Sequence, residues 1–254
     1  MLPFFLIVAS AYRKSGTNTL KKIQMDDQLI AYLETFITER RKELFNTVIK
    51  FRTRYITVVL EDIYQPHNAS AILRSCDCFG IQNVHILENR NKYEVNSEIA
   101  LGSDKWLNLF RYNYDKDTLK ERISTLRSNR YRIVATTPHE PTTELGQFNL
   151  EKGPVALLFG TELEGLTAEI KNEADEFLKI PMFGFTESLN ISVSAAIILQ
   201  HLTNRLHQSN ISWKLSTEEE NEVKLNWLRK SVKNSEAIEK EFIAKNINNQ
   251  KLRI

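Results

Sequence analysis

Short apolar runs alternate with segments of helical spacing from residue 56 to residue 208, and this alternation constrains the fold more than any other feature. The runs TVVL, VHIL, RIVA and VALLF read as strands, and VALLF reads as a buried one. Between them lie stretches such as NASAILRSCDCFG and DTLKERISTLRSN, which read as helices. Strands that alternate with helices form a mostly parallel sheet covered on both faces. The sequence therefore predicts an α/β fold, with further strands at LNLFRY and FLKIPMFG.

Segments of helical spacing flank this region on both sides. We expect an N-terminal helical extension at residues 25–55, an α/β domain at 56–207 and a C-terminal helical extension at 208–254. Residues 1–24 begin with MLPFFLIVASA, an apolar run that is too short to span a bilayer and has no basic segment before it. We interpret residues 1–24 as an uncertain leader or an over-long start, and we expect no membrane association.

Basic residues are concentrated at the two ends of the chain. The net charge is +2 overall, +5 for residues 1–55, −5 for 56–213 and +2 for 214–254. This distribution fits a polyanion contacted by the ends, and it also fits ordinary solvated helices. Cys76 and Cys78 are two residues apart, so on a helix they do not face each other, and we expect neither a disulfide nor a metal pair. Two free thiols favour a cytoplasmic location.

Three polar loops follow predicted strands, at the edge of a parallel sheet where ligands bind. They are EDIYQPHNAS, LLFGTELEGLT and IPMFGFTESLNISVS. After the first loop, a helix is predicted to begin at Asn68, either as its cap or as part of a site. Arg74 lies among apolar residues of that helix, either as a charge at the helix edge or as a ligand for phosphate or ribose oxygens. The second loop matches no dinucleotide-binding or P-loop motif, which opposes a nicotinamide dehydrogenase.

The three segments also resemble a known family. PHNASAILRSCDCFG, LLFGTELEGLT and IPMFGFTESLNISVSAAIIL are similar, in order and separation, to the successive motifs of the SpoU (TrmH-type) RNA ribose 2′-O-methyltransferases. LGSDKW at 101–106 is similar to a segment of the family's tRNA guanosine-18 branch. The resemblance covers about residues 56–207. It implies a SPOUT-type α/β fold with a C-terminal trefoil knot, bound S-adenosylmethionine, a homodimer and no catalytic metal.

The resemblance also implies roles for individual residues. Arg74 matches the catalytic arginine of the family, and the other active-site positions fall on Asn68, Glu162, Ser188 and Asn190. The cofactor-binding positions fall on Thr136, Gly160, Ile180, Met182 and Leu189. A guanidinium keeps its proton up to a pH of about 12. We therefore interpret Arg74 as a group that polarises the ribose hydroxyl and stabilises developing negative charge, rather than as a base.

The implied reaction is methyl transfer to a ribose 2′-hydroxyl of tRNA, at guanosine 18 of the D-loop. The helical extensions occupy the places that tRNA-binding extensions have in that branch, where phosphate contacts would supply salt-sensitive affinity. The alternatives are another tRNA position, 23S rRNA, or an RNA-binding assembly factor without catalysis. No RNA-binding domain of the kind common in ribosomal-RNA members precedes the core, which favours tRNA. We expect neither DNA nor a membrane as a partner.

Overall fold

The structure is a computed structural model and describes residues 16–63, 65–88, 100–113, 116–138, 142–161 and 164–251. Its strands are β1 (Ile56–Glu61), β2 (Asn83–Glu88), β3 (Asn108–Asn113), β4 (Arg132–Thr136), β5 (Thr143–Glu144), β6 (Val155–Phe159) and β7 (Glu176–Lys179). Its α-helices are α1 (Gly16–Glu34), α2 (Glu39–Val48), α3 (Pro66–Cys78), α4 (Lys116–Ser128), α5 (Ala168–Asn172), α6 (Ile191–Gln208), α7 (Thr217–Ser231) and α8 (Ser235–Lys251). In these ranges no helix is long and apolar enough to cross a membrane.

The strands form one parallel sheet in the order β3-β2-β1-β6-β4-β7-β5. This confirms the predicted α/β fold with a mostly parallel sheet. The central strands β1 and β6 are buried along their whole length, which explains why their sequences read as continuous apolar runs. In the register of the sheet, Leu60 of β1 lies beside Phe159 of β6, and Ala135 of β4 lies beside Leu158. The carboxyl ends of these three strands therefore meet at one edge.

Apolar side chains cover both faces of the sheet. On one face α3 and α6 pack against each other and against the strands, and Leu73 and Leu199 are fully buried there. On the other face α4 and α5 contribute Ile123 and Ile170. Ala195 of α6 is fully buried, so this small residue serves the intramolecular core.

The chain divides into two compact units. The α/β unit runs from Phe51 to Lys214, and the other unit combines the described residues up to Lys50 with those from Leu215 onward. The α/β unit extends beyond residues 56–207 at both ends. Thr53 forms bridges to Ile81 and Lys214, and its hydroxyl donates to the Trp213 carbonyl at 2.7 Å. These contacts fasten both flanking segments to the sheet.

The second unit is helical, as the sequence predicted. Helix α1 begins at Gly16, before the predicted start at residue 25, and it packs against α7. The unit has its own core, in which Leu33 is fully buried and the rings of Phe45 and Trp227 lie 5.3 Å apart. A capping box between Ser216 and Glu219 fixes the start of α7.

Candidate active site

The first polar loop joins β1 to α3 at the carboxyl edge of the sheet. The prediction that α3 begins at Asn68 is wrong, because Gln65 is the N-cap residue and Pro66 is the first helical residue. Proline suits that position because it has no N–H to leave unpaired. Asn68 therefore lies inside the first turn, where its side chain is 2% exposed. It does not cap the helix, so a different role has to explain a buried amide there.

The buried amide of Asn68 contacts the third polar loop. Its Oδ1 accepts a hydrogen bond of 3.2 Å from Asn190 Nδ2, and its Nδ2 donates to Gln65 Oε1 at 3.4 Å. Asn190 is the N-cap of α6, and its Oδ1 accepts from the backbone N and the Oγ of Ser192 at 2.9 and 2.6 Å. Because the cap occupies Oδ1, the amide nitrogen of Asn190 is directed to Asn68. The structure thus brings together two of the predicted catalytic residues.

Arg74 lies on the exposed side of α3, six residues after Asn68. Ile72, Leu73 and Cys76 of the same helix are fully buried, so the helix is fixed firmly to the core. In the described part of the chain the Arg74 guanidinium has no hydrogen-bond or ion-pair partner. An exposed guanidinium on a rigid helix is available to bind an anion with paired N–H donors.

The second polar loop follows β6. Thr161 and Gly165 pair through two backbone hydrogen bonds of 2.9 and 3.0 Å, which close a tight loop. A Cβ on Gly160 would lie 2.2 Å from the carbonyl carbon and oxygen of Gly165, so only glycine fits there. Glu162, a predicted catalytic residue, lies outside the described residues. The pair between Thr161 and Gly165 nevertheless brackets its position in the chain.

Glu61 is a residue of this edge that the sequence analysis did not select. It is the last residue of β1 and is 2% exposed. Its Oε2 accepts from the Thr167 backbone N at 2.9 Å and its Oε1 from the Thr167 hydroxyl at 2.6 Å. Burial raises the pKa of the Glu61 carboxyl, and the two bonds from Thr167 partly offset that rise. The sequence signal that could have identified Glu61 is a carboxylate at the end of an otherwise apolar strand.

The predicted cofactor-binding residues follow three neighbouring strands. Thr136 ends β4, Gly160 follows β6, and Ile180 and Met182 follow β7. The Thr136 hydroxyl donates to the Leu158 carbonyl at 2.7 Å, so it is already engaged in the sheet. Ile180 and Met182 are half-buried and Leu189 is 39% exposed. Accessible apolar side chains suit a flat, uncharged ring such as adenine.

Ser188 is exposed, two residues before Asn190. The described residues contain no group of three His, Cys, Asp or Glu side chains that could hold a metal ion. In the described part of the chain, this edge offers a pair of linked amides, an exposed guanidinium without a partner, accessible apolar side chains and a tight glycine loop. Such a set can orient a polar substrate and stabilise negative charge that develops on an oxygen.

Comparison with known proteins gives a consistent picture. Residues 55–200 match the SpoU rRNA Methylase family. The chain is 41% identical over 218 residues to the tRNA (guanosine(18)-2'-O)-methyltransferase of Borreliella burgdorferi, covering 85% of this chain and 98% of that protein. It is 35% identical over 198 residues to the protein of the same name from Thermus thermophilus, covering 76% and 98%. The crystal structure of an Aquifex aeolicus TrmH/SpoU tRNA modifying enzyme is similar with a TM-score of 0.68 and 28% identity, covering 77% of this chain and 98% of that one.

Proposed function

Because the chain belongs to the SpoU rRNA Methylase family, we propose that it methylates the 2′-hydroxyl of guanosine 18 in tRNA with S-adenosylmethionine as the methyl donor. The observation that carries the reaction is the hydrogen bond between Asn68 and Asn190, which joins two motif loops at the start of the helix that carries Arg74. The relatives named for guanosine 18, matched over 98% of their length, support the substrate.

The loops after β4, β6 and β7 would hold the cofactor. Backbone groups at Thr136 and Gly160 would take its polar atoms, and Ile180, Met182 and Leu189 would cover the adenine. When bound, S-adenosylmethionine supplies an electrophilic methyl group. Gly160 keeps the loop narrow, since any side chain there would collide with Gly165.

Arg74 would act on the ribose. Its guanidinium would pair with an adjacent phosphate, polarise the 2′-hydroxyl and stabilise the negative charge that develops on that oxygen, while the hydroxyl proton leaves to solvent as the methyl group is taken up. Asn68 and Asn190, together with Ser188 and Glu162, would orient the nucleotide, because linked amides fix both donor and acceptor directions.

The helical unit would bind the body of the tRNA. Arg40 of α2 and Lys50 are exposed, and neither has a hydrogen-bond or ion-pair partner in the described part of the chain. Contacts from such side chains to phosphates add affinity without reading sequence. The 25–55 and 208–254 extensions are proposed to serve this role, and residues 1–24 are proposed to be dispensable.

A homodimer with a trefoil knot in the cytoplasm is part of the same proposal. The placement of β6 between β1 and β4 supports the knot, since the chain must return to the middle of the sheet after leaving it. Val193 and Ile197 support the dimer, since they lie one turn apart on α6 and are 45% and 38% exposed. Analytical ultracentrifugation of the wild type and of Ile197→Lys tests this assembly.

Methyl transfer to tRNA transcripts tests the function. Labelled S-adenosylmethionine and unmodified transcripts are incubated with the protein, and the methylated nucleotide is mapped. A 2′-O-methylguanosine at position 18 is expected, with no transfer to a transcript that carries 2′-deoxyguanosine there. Transfer to another tRNA position or only to ribosomal RNA would reject the assignment to guanosine 18. Cofactor binding without any transfer would favour the RNA-binding assembly factor.

A further inference from the structure

Glu61 is a buried carboxylate at the end of β1. In the described part of the chain its polar partners are the two groups of Thr167, and no Lys or Arg pairs with it. It ends a strand whose other residues are all buried, with Asp62 and Glu169 near enough to add repulsion. Glutamate is rarely buried unless it is paired with a cation. Burial alone would favour an apolar residue at this position of β1, so the presence of an acid has to be explained by the contacts that it makes.

Thr167 is the N-cap of α5, and its Oγ accepts from the Ile170 N at 3.3 Å. It comes directly after Leu166, which is 3% exposed, and after Gly165, which pairs with Thr161. The Glu61 carboxylate therefore fixes the exit of the second loop, whose entry is already fixed by β6. Both donors that Thr167 presents, one N–H and one O–H, meet an acceptor oxygen of Glu61.

The backbone that follows Glu61 leads to the first loop. Asp62 has a φ of 50°, its N–H donates to the Leu87 carbonyl at 2.9 Å, and Ile63 is 8% exposed. The chain then enters α3, which carries Asn68 and Arg74. Glu61 thus links the first loop to the second, as the Asn68–Asn190 bond links the first to the third.

We infer that Glu61 is a positioning residue that, through Thr167, holds residues 165–167, the described end of the second loop, where S-adenosylmethionine binding requires them. This inference rests on the proposed function. Glutamine cannot replace the acid fully, because its amide offers one acceptor where Thr167 presents two donors. The contact does not involve the reacting atoms. Its loss should therefore weaken S-adenosylmethionine binding by leaving residues 165–167 less firmly held.

Four single variants test the inference. Glu61→Gln removes one acceptor oxygen of the contact, and Thr167→Val removes the hydroxyl donor. Thr167→Ser keeps that hydroxyl. Thr57→Val is the matched control, because the Thr57 hydroxyl is also buried on β1 and donates to the Asn83 carbonyl at 2.8 Å, toward the other end of the strand. The measurements are the Kd for S-adenosylmethionine by calorimetry, kcat and KM with tRNA, and the Tm of the free protein.

The expected result is a rise of about tenfold in the Kd for S-adenosylmethionine in Glu61→Gln and Thr167→Val. Combining Glu61→Gln with Thr167→Val should raise the Kd for S-adenosylmethionine no further than the worse single variant does, since both substitutions break the same contact. Thr167→Ser should restore the wild-type Kd, and Thr57→Val should lower the Tm with an unchanged Kd.

Two outcomes would overturn the inference. If Glu61→Gln and Thr167→Val lower the Tm as Thr57→Val does but keep the Kd and kcat, the contact is structural only. If the wild type itself binds no S-adenosylmethionine, the proposed function fails and takes the inference with it. If the wild type binds S-adenosylmethionine and methylates tRNA, the proposed function stands, and the variants then test the role of Glu61 alone.

Discussion

At the scale of single residues, the site depends on side chains whose surroundings decide what they can do. Asn68 and Arg74 lie on one helix, six residues apart. Asn68 is buried and hydrogen-bonded to Asn190, whereas Arg74 is exposed and has no partner among the described residues. A buried amide holds a geometry, whereas an exposed guanidinium is free to bind a substrate anion. The chemistry assigned to each residue follows from this difference.

Replacing Arg74 tests its role most directly. Arg74→Lys keeps the charge but loses the planar fork of N–H donors, so kcat should fall at least about a hundredfold, while the Kd for S-adenosylmethionine stays within about twofold. Arg130→Lys, at an exposed turn before β4, is the control and should keep full activity. An Arg74→Lys protein with near wild-type turnover would show that charge alone suffices.

The buried ring of His85 leads to a prediction of how the free energy of unfolding depends on pH. Burial lowers the pKa of His85 from 6.5 to about 4. The ring stacks 4.8 Å from Phe110, with Nδ1 3.3 Å from the Tyr112 hydroxyl, and Arg122 lies over the Tyr112 ring. The unfolded chain takes up the proton near pH 6.5 and the folded chain only near pH 4, so the free energy of unfolding falls as pH drops between these values.

The control for this titration is His85→Gln, which has no ring to protonate. Between pH 7 and pH 5 the wild type should lose up to about 2 kcal/mol more unfolding free energy than the variant. Urea denaturation at both pH values measures the difference, and comparison with the variant removes the contributions of groups that the substitution leaves unchanged. Equal losses in the two proteins would mean that His85 is not held neutral by the fold.

At the scale of elements, the sequence predicted more of the fold than of the site. The strands β1 and β6 follow directly from their apolar runs, because both faces of a central parallel strand are buried. Strand β5 has two residues, too few for any periodic pattern. The start of α3 was misplaced because Asn68 is a favoured cap, whereas Pro66 sets the first turn.

The link from Glu61 to Thr167 could not be read from the sequence, since 106 residues separate the two partners. The contact between Asn68 and Asn190 spans 122 residues, and only the resemblance placed both residues in one site. Contacts of this kind depend on β6 lying beside β1, an order that local patterns do not encode. Local sequence gives the elements, and the sheet order brings the site residues together.

The loop after β6 gives a prediction at this scale. In Gly160→Ala the new Cβ would lie 2.2 Å from the Gly165 backbone, so the pair between Thr161 and Gly165 must open. The Kd for S-adenosylmethionine should rise by at least about tenfold, and the Tm should fall. Gly146→Ala is the control, because a Cβ there meets nothing within 4 Å and the residue lies outside the site. A Gly160→Ala protein with an unchanged Kd would remove this loop from the cofactor site.

At the scale of the whole molecule, the proposed function assigns chemistry to the α/β unit and tRNA affinity to the helical unit. The predicted site residues all belong to the α/β unit, whereas exposed basic side chains such as Arg40 and Lys50 belong to the helical unit. The N-terminal 55 residues carry a net charge of +5 against −5 for residues 56–213. An acidic domain that acts on RNA gains from basic residues elsewhere in the chain, since phosphate contacts dominate RNA affinity.

This division predicts that charge changes in the helical unit alter RNA binding alone. Arg40→Gln with Lys50→Gln should weaken tRNA binding and reduce the slope of log K against log salt by about 1.5, since two phosphate contacts are lost. The Kd for S-adenosylmethionine should stay unchanged. Glu43→Gln, an exposed residue of α2, removes a negative charge and should strengthen tRNA binding slightly. Filter binding across a salt series measures all three proteins. If the double variant keeps the wild-type slope, neither side chain contacts phosphate, and tRNA must bind elsewhere on the molecule.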